Sequence, residues 1–171
     1  MGYVLRAVRL LSMVVWVGGL AFFAFVEAPT AARVMGITQQ FALLIGESIG
    51  GINSIGYATS MLFILCSLLL WKRSSPGTRK LLVVELPLAI VMFAAVLCVQ
   101  RSIVPAMERD RTAANGDINA LAPDNPIRAH FDRLHANSES VEGAALFLGV
   151  AVVLLMAGED SRQDRPQLLT R

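Results

Sequence analysis

A set of polar residues near the end of the chain has the spacing of one helix face. Its members follow one another at intervals of three or one residues, and side chains three or four apart are neighbours on a helix. It begins in a hydrophilic segment and ends where the sequence becomes apolar, so its last member is predicted to reach membrane depth. We name this set the polar stripe; it consists of Asp132, His135, Ser138, Glu139 and Glu142.

Two residues of the polar stripe could bind a metal ion together. The imidazole of His135 and the carboxylate of Glu139 are four residues apart, and divalent ions accept both as ligands. No second His or Cys pair accompanies them in the sequence. Two other interpretations stay open. One is a polar cavity that opens to the non-cytoplasmic side, and the other is a solvated helix face with one polar residue packed in the bundle.

Two further charges are predicted to lie at membrane depth. Glu85 lies about one helical turn inside the third apolar block, and Arg9 lies at the same depth in the first. An ionisable side chain within a span costs about 2.5–3.5 kcal/mol on insertion scales, so it needs a reason. We predict a structural ion pair between Arg9 and Glu85. The alternatives are that each side chain extends to its own interface, or that both belong to a proton or ion pathway.

The sequence carries no motif for enzymatic chemistry. It has no Walker loop, Gly-rich dinucleotide turn, Gly-x-Ser-x-Gly or His-Glu-x-x-His. Its two cysteines and seven methionines show no Cys-x-x-Cys or Met-x-x-Met spacing, which favours core packing over a copper site. The net charge of +2 is too small to indicate nucleic-acid binding. We therefore predict a non-enzymatic protein, and its cofactor, if it has one, stays unknown.

The elements that position these residues are predicted to be transmembrane helices. Hydrophobic residues make up 55% of the chain and charged residues 16%, whereas soluble domains carry about 25% charged residues. The apolar residues lie in blocks, which predicts membrane-spanning helices and an all-α fold. Short connections favour packing these helices as an integral membrane four-helix antiparallel bundle. A polar cytoplasmic tail is expected at residues 158–171. The four spans are expected at about residues 5–28, 52–72, 81–104 and 137–157.

Between the first two spans, apolar residues recur at helical spacing. This pattern predicts a short amphipathic interfacial helix at residues 38–49. The pair Gly50-Gly51 is expected to break or kink the chain after it. The apolar residues concerned are Phe41, Leu44, Ile45 and Ile49.

The last of the four spans is the least regular. Its apolar part, residues 143–157, is shorter than the ~20 residues that cross a bilayer. It crosses only if the turn from Ser138 to Glu142 also lies at membrane depth. The polar stripe is therefore the first place to look for function.

The distribution of basic residues predicts the orientation. Lys and Arg near the ends of spans favour the cytoplasmic side. They are more numerous in the N-terminus, the second loop and the tail, whereas most acidic residues fall on the opposite side. Both termini are thus predicted to be cytoplasmic. In a bacterial cell the protein would lie in the plasma (inner) membrane, with its long third loop in the periplasm.

Three stretches together resemble a known family. They are Trp16-Val-Gly-Gly-Leu-Ala-Phe-Phe-Ala-Phe-Val-Glu-Ala-Pro29, Val104-Pro105 and Phe131-Asp-Arg-Leu-His135-Ala-Asn-Ser138. The pattern is similar to the transmembrane-protein-205-like family of small four-helix membrane proteins, a domain of unknown function in bacteria and eukaryotes. The resemblance implies four spans and no established activity, cofactor or substrate.

The chain departs from that family at three positions, of which two bear on a binding site; the other is Gly51-Ile52-Asn53, where members often have a Phe-Pro pair entering the second helix. Family members often carry a histidine early in the first helix, where this chain has Leu11-Ser12-Met13. They usually carry Asn seven residues after the motif histidine, where Glu142 stands here. The first departure weakens a two-histidine haem or copper site. The second could add a titrating group or a partner for a neighbouring residue.

Three functions remain open at this point. One is solute or metal-ion handling through the polar stripe. The second is a non-catalytic accessory or scaffold subunit of a membrane complex, with the interfacial helix and the long polar loop as partner surfaces. The third is haem or quinone binding. The expected partners are the lipid bilayer and either a second copy of the chain or another membrane protein, because four helices can enclose few paths alone.

Overall fold

The regular structure of this chain, as far as it is described, is entirely helical. The computed structural model describes residues 2–72 and 76–163. Four helical rods are long and apolar enough to cross a membrane, and each has 33 to 35 residues. We call them the first to fourth spans; they cover Gly2–Met35, Gln39–Trp71, Arg79–Ala113 and Pro126–Gly158. The protein is therefore an all-α four-helix membrane bundle.

The described residues form six α-helices and three shorter helical turns. The α-helices are α1 (Gly2–Phe22), α2 (Ala28–Met35), α3 (Gln39–Trp71), α4 (Pro76–Cys98), α5 (Val104–Ala113) and α6 (Pro126–Gln163). A π-helical turn joins α1 to α2 at Phe23–Glu27, and another joins α4 to α5 at Val99–Ile103. A 3₁₀ turn, Ile118–Ala120, lies in the connection between α5 and α6.

Prolines explain both π turns. Pro29 and Pro105 each lie two residues after the end of a π turn. A proline has no backbone N–H, and its ring clashes with the carbonyl four residues earlier. That earlier residue, Phe25 or Arg101, lies at the centre of the π turn in each case. The wider turn lets the helix continue through the proline.

The spans are longer than a membrane is thick. A helix of 33 residues is about 50 Å long, whereas the hydrocarbon core of a bilayer is about 30 Å thick. Each rod therefore extends well beyond the hydrocarbon. This length explains how the last span can cross a bilayer although its apolar part is short. The helix α6 is continuous and runs through the polar stripe into its apolar half.

The helix expected at residues 38–49 is not a separate element. These residues instead form the start of α3, whose N-terminus is capped by Thr38, with Phe41 N donating to Thr38 Oγ1 at 3.2 Å. The pair Gly50-Gly51 lies inside α3 and does not interrupt it. A glycine in a helix interior costs about 1 kcal/mol relative to alanine, which is too little to break so long a rod.

The first residues of the expected tail, 158–163, are helical, since α6 continues to Gln163. Residues 164–171 of that tail lie outside the described residues. The long polar stretch before α6 also differs from a plain loop. Its first part is the helix α5, which continues the third span beyond the π turn.

The four spans form a square. The first span packs beside the second and the fourth, and the third also packs beside the second and the fourth. Sequential helices are therefore neighbours, as short connections favour. The first and third spans, and likewise the second and fourth, face each other diagonally. We call the end of the bundle that holds residue 2 the inner end and the opposite end the outer end.

Apolar side chains fill the centre and cover the outside. Met13, Trp16, Phe63 and Met92 are fully buried in one cluster. Large apolar side chains such as Phe147 are exposed on the outer surface of the bundle. A surface of this kind is what a lipid environment requires, since lipid tails replace water as the solvent.

Candidate functional site

The structure divides the polar stripe into two parts. Asp132, His135 and Glu139 are exposed on the first half of α6. Ser138 is half-buried and donates to the carbonyl of His135 at 2.8 Å, which is a local helix contact. Glu142 is also half-buried, but its side chain contacts the second span. The stripe thus leads from the outer surface of the molecule to one group inside the bundle.

The proposed metal ligands contact each other at the surface. His135 Nε2 lies 3.3 Å from Glu139 Oε1, and the two side chains are 52% and 68% exposed. The His135 ring also stacks on Phe131, with 6.2 Å between the ring centroids. Within the described ranges, no three His, Cys, Asp or Glu side chains are arranged to hold a metal ion. The pair alone falls short of the four ligands typical of zinc.

The other histidine has its own partner. His130 Nδ1 lies 2.7 Å from Asp110 Oδ2, which ties α6 to α5 at the outer end. His130 and His135 are the two histidines of the chain, and both lie in the exposed half of α6. Neither faces the apolar centre of the bundle, where a haem between spans would require its ligands.

A polar contact crosses the square from the second span to the fourth. Asn53 Nδ2 donates to Glu142 Oε1 at 2.9 Å. Asn53 is fully buried, although it lies in an apolar part of α3. A buried amide in such a place needs hydrogen bonds, because a buried donor or acceptor without a partner costs about 1–3 kcal/mol. The contact therefore fixes the second and fourth spans relative to each other.

Further buried polar atoms surround this contact. Asn53 Oδ1, Glu142 Oε2, the Tyr57 hydroxyl and Trp16 Nε1 have no hydrogen-bond partner among the described residues. Tyr57 lies one turn from Asn53 on α3, and its ring packs edge-on against Phe93 with centroids 5.7 Å apart. We name Trp16, Asn53, Tyr57 and Glu142 the outer polar site.

Local packing explains how the outer polar site forms. The indole of Trp16 lies directly on Gly56, where a Cβ atom would come within 2.4 Å of Nε1. Gly56 thus lets the first span approach the second between Asn53 and Tyr57. The charges of Arg101 and Glu142 both act on the Tyr57 phenol. The site therefore contains three unpaired oxygen atoms, one of which belongs to the Glu142 carboxylate, and one unpaired N–H donor.

A second polar contact crosses the square, from the first span to the third, toward the inner end. Arg9 Nη2 donates to Glu85 Oε2, and both side chains are fully buried. The Arg9 guanidinium also lies over the Phe63 ring, 5.1 Å from its centroid. The structure thus brings together the two charges that the sequence placed at one depth. We call this contact the inner ion pair.

Sequence reasoning missed most of the outer polar site. Only Glu142 was singled out, as a residue forced into the membrane by the short last span. Trp16 and Asn53 enter the sequence argument only in the comparison with a family pattern, and Tyr57 does not enter it. The available signal was a lone amide in an uncharged block, which indicates that a polar partner exists but not which helix supplies it.

Comparison with known proteins gives one match. Residues 11–115 match the model of a family described as a domain of unknown function (DUF4149). The matched stretch contains Trp16, Asn53 and Glu85 but ends before α6. No curated protein and no solved structure matches this chain.

Proposed function

Because this chain belongs to the DUF4149 family, a domain of unknown function, we propose its activity from the outer polar site itself: the protein is a small membrane protein that handles a small cation there. The observation that carries the proposal is the set of buried oxygen atoms around Glu142 that no described residue satisfies. Buried polar groups of this kind cost free energy unless a ligand or solvent pairs with them.

The atoms available favour a hard monovalent cation. Glu142 Oε2, Asn53 Oδ1 and the Tyr57 hydroxyl are oxygen donors, the kind that alkali and alkaline-earth ions prefer over the softer transition metals. Glu142 supplies the single carboxylate of the outer polar site, and one negative charge suits a cation with one positive charge better than a cation with two.

The exposed part of the polar stripe supports the same function. Asp132 and Glu139 are acidic, exposed and on the helix that carries Glu142. Surface carboxylates raise the local concentration of cations, so they would guide a cation toward the outer polar site. In this proposal the carboxylates of Asp132 and Glu139 attract the ion, and the His135–Glu139 pair does not hold it.

Thermal unfolding of the purified protein in mild detergent tests the proposal. A ligand that binds only the folded state raises the unfolding midpoint by mass action. We expect sodium chloride or potassium chloride to raise the midpoint relative to choline chloride at equal ionic strength. Glu142→Gln should remove that difference, whereas Glu139→Gln, a matched change on the exposed part of the stripe, should keep it.

The same unfolding measurements distinguish a binding site at Glu142 from a binding site on the exposed part of the polar stripe. Retention of the cation effect in Glu142→Gln, with its loss in Glu139→Gln or His135→Ala, would move the site to the surface. Equal midpoints in the alkali and choline salts would contradict cation handling at this site.

A second candidate function rests on a different surface. An apolar groove of about 360 Å³ lies at the outer end of the first span, beside α2 and the start of α3. Its lining includes the exposed side chains of Phe22, Val26, Val34 and Leu44. Such a groove supports the alternative of an accessory or scaffold subunit that binds a second copy or another membrane protein. Co-purification and mass measurement in mild detergent would test it.

We propose four finer features together with these functions. They are a specific relationship to the transmembrane-protein-205-like family, the placement of both termini in the cytoplasm, residence in a plasma membrane, and a role without enzymatic turnover. The inner end of the bundle is then the cytoplasmic end, and the outer polar site faces the opposite side.

A further inference from the structure

The first and third spans bury equivalent residues. Arg9 and its partner Glu85 are 76 residues apart, and the same interval separates the buried positions that follow them. It also separates the two π turns and the two prolines that cause them. The corresponding buried pairs are Arg9 and Glu85, Met13 and Ala89, Trp16 and Met92, and Leu20 and Val96.

The second and fourth spans show the same relationship with another interval. Asn53 and its partner Glu142 are 89 residues apart. Four further buried positions of α3 have buried equivalents in α6 at that interval. The corresponding pairs are Asn53 and Glu142, Gly56 and Ala145, Ser60 and Gly149, Phe63 and Val152, and Ser67 and Met156. The longer connection before α6 accounts for the larger interval.

These intervals relate two helical hairpins. The first hairpin is the first and second spans, and the other is the third and fourth spans. Neighbours within a hairpin and neighbours between hairpins alternate around the square, as a twofold axis along the bundle requires. Residue types differ between the hairpins, so the repeat lies in burial and geometry.

The two polar contacts lie on this axis. A twofold axis brings a residue into contact with its own equivalent only at the axis itself. Arg9 contacts its equivalent Glu85 toward the inner end, and Asn53 contacts its equivalent Glu142 near the middle of the rods, on the outer side of the inner ion pair. Both contacts therefore hold the two hairpins together along one central line.

We infer that the route of the cation follows this axis between the two hairpins, with Asn53 and Glu142 closing its outer end and Arg9 and Glu85 closing its inner end. The inference rests on the proposed function, because it gives the handled ion a path. Membrane transporters built from parallel repeats use the interface between the repeats in this way, with the repeats moving against each other around the site.

We call the Asn53–Glu142 contact and the Arg9–Glu85 contact the two closures of the route. The layer of side chains between them is thin. Phe63 contacts Arg9, and Asn53 lies on the same helix, so the closures are about 15 Å apart along α3 at 1.5 Å per residue. Buried side chains fill this interval, among them Trp16, Ser60 and Met92. Opening either closure would admit water to the same central layer from one side only.

Thiol labelling tests the route. Cys66 and Cys98 are replaced by serine, and Ser60→Cys places one thiol in the central layer, where Ser60 is fully buried. A matched control, Met61→Cys, places the thiol at the same depth on the outside of the bundle, where Met61 is 67% exposed. A membrane-impermeant thiol reagent is added to right-side-out or inside-out vesicles.

Each closure is opened by a pair of substitutions. Asn53→Ala with Glu142→Ala opens the outer end, and Arg9→Ala with Glu85→Ala opens the inner end without leaving a lone buried charge. We expect Ser60→Cys to be labelled from the outer face in the first background and from the inner face in the second. Met61→Cys should stay unlabelled in both, because lipid covers it.

Other outcomes would overturn the inference. These are no labelling of Ser60→Cys in either background, labelling from the same face in both, or equal labelling of Met61→Cys. Where an alanine pair does not insert, milder pairs give the same test: Asn53→Ser with Glu142→Asp, and Arg9→Lys with Glu85→Asp. The labelling needs no bound cation, so an unchanged unfolding midpoint in sodium or potassium contradicts the proposed function without contradicting the axial route.

Discussion

Asn53 and Glu142 connect the second and fourth spans across the bundle, with the Asn53 amide donating to the Glu142 carboxylate at 2.9 Å. These two spans are diagonal to each other, so the hydrogen bond passes through the centre of the square. The remaining oxygen of each side chain is buried without a partner among the described residues. The contact therefore contributes to the fold while leaving polar atoms available for a ligand.

Replacing Glu142 should reveal the structural part of this role. Glu142→Ala removes the acceptor and leaves the buried Asn53 amide unpaired, so we expect a loss of about 1 kcal/mol in the free energy of unfolding, near the measured range for hydrogen bonds between membrane helices. Glu142→Gln keeps a carbonyl acceptor and should lose less. Unfolding in mixed detergent micelles measures both, and equal losses would show that the hydrogen bond does not contribute.

Removing one partner of the inner ion pair should cost more. Arg9→Met leaves the Glu85 carboxylate buried without its arginine, and breaking a buried pair in this way typically costs about 3–5 kcal/mol. The double variant Arg9→Met with Glu85→Met removes both charges and should unfold close to the wild-type protein. The same micelle unfolding measurement applies. A double variant as unstable as Arg9→Met alone would contradict this account.

The equivalence of the two hairpins predicts that the inner pair can be exchanged. In Arg9→Glu with Glu85→Arg, each new side chain enters a position equivalent to its original one. We expect the exchanged protein to recover most of the stability that either single change removes. A residual loss of about 0.5–2 kcal/mol is expected, because the contact of Arg9 with Phe63 is lost and Val152 is the equivalent of Phe63.

A corresponding exchange at the outer end is the control. Asn53→Glu with Glu142→Asn exchanges the other axial pair and should also unfold near the wild-type midpoint. Recovery in neither exchange would show that the two hairpins offer different environments and that the matching intervals do not reflect an axis.

The sequence predicted the inner ion pair but not the outer polar site, and depth explains the difference. Arg9 and Glu85 carry opposite charges at the inner ends of two apolar blocks, so depth alone selects each as the partner of the other. Glu142 was predicted to enter the membrane, but depth left its partner undetermined. The rotation of α3 about its axis decides that Asn53 faces it, and packing of Trp16 on Gly56 sets that rotation.

Hydropathy located the four spans but not the lengths of the helices. Backbone hydrogen bonding continues through polar segments, so α3 begins at Gln39 and α6 at Pro126, well before the apolar blocks begin. The repeat was hidden for a related reason. Equivalent positions such as Trp16 and Met92 share burial but differ in residue type, so comparison of residues alone does not align the two hairpins.

The contact between Trp16 and Gly56 gives the sharpest test of packing. A Cβ atom at Gly56 would lie 2.4 Å from Trp16 Nε1 and 2.8 Å from two ring carbons, and the buried indole is rigid. Gly56→Ala should therefore force the first and second spans apart and cost about 1–3 kcal/mol in the free energy of unfolding.

Gly51→Ala on the same helix is the matched control, and it should act in the opposite direction. A Cβ atom there meets nothing within 4 Å. Replacing a glycine inside a helix by alanine gains about 0.5–1 kcal/mol, because the alanine backbone loses less conformational freedom on folding. Micelle unfolding of the two variants should thus give free energies on opposite sides of the wild-type value. Stabilisation by both substitutions would mean that helix propensity, and not the approach of the indole, determines the role of Gly56.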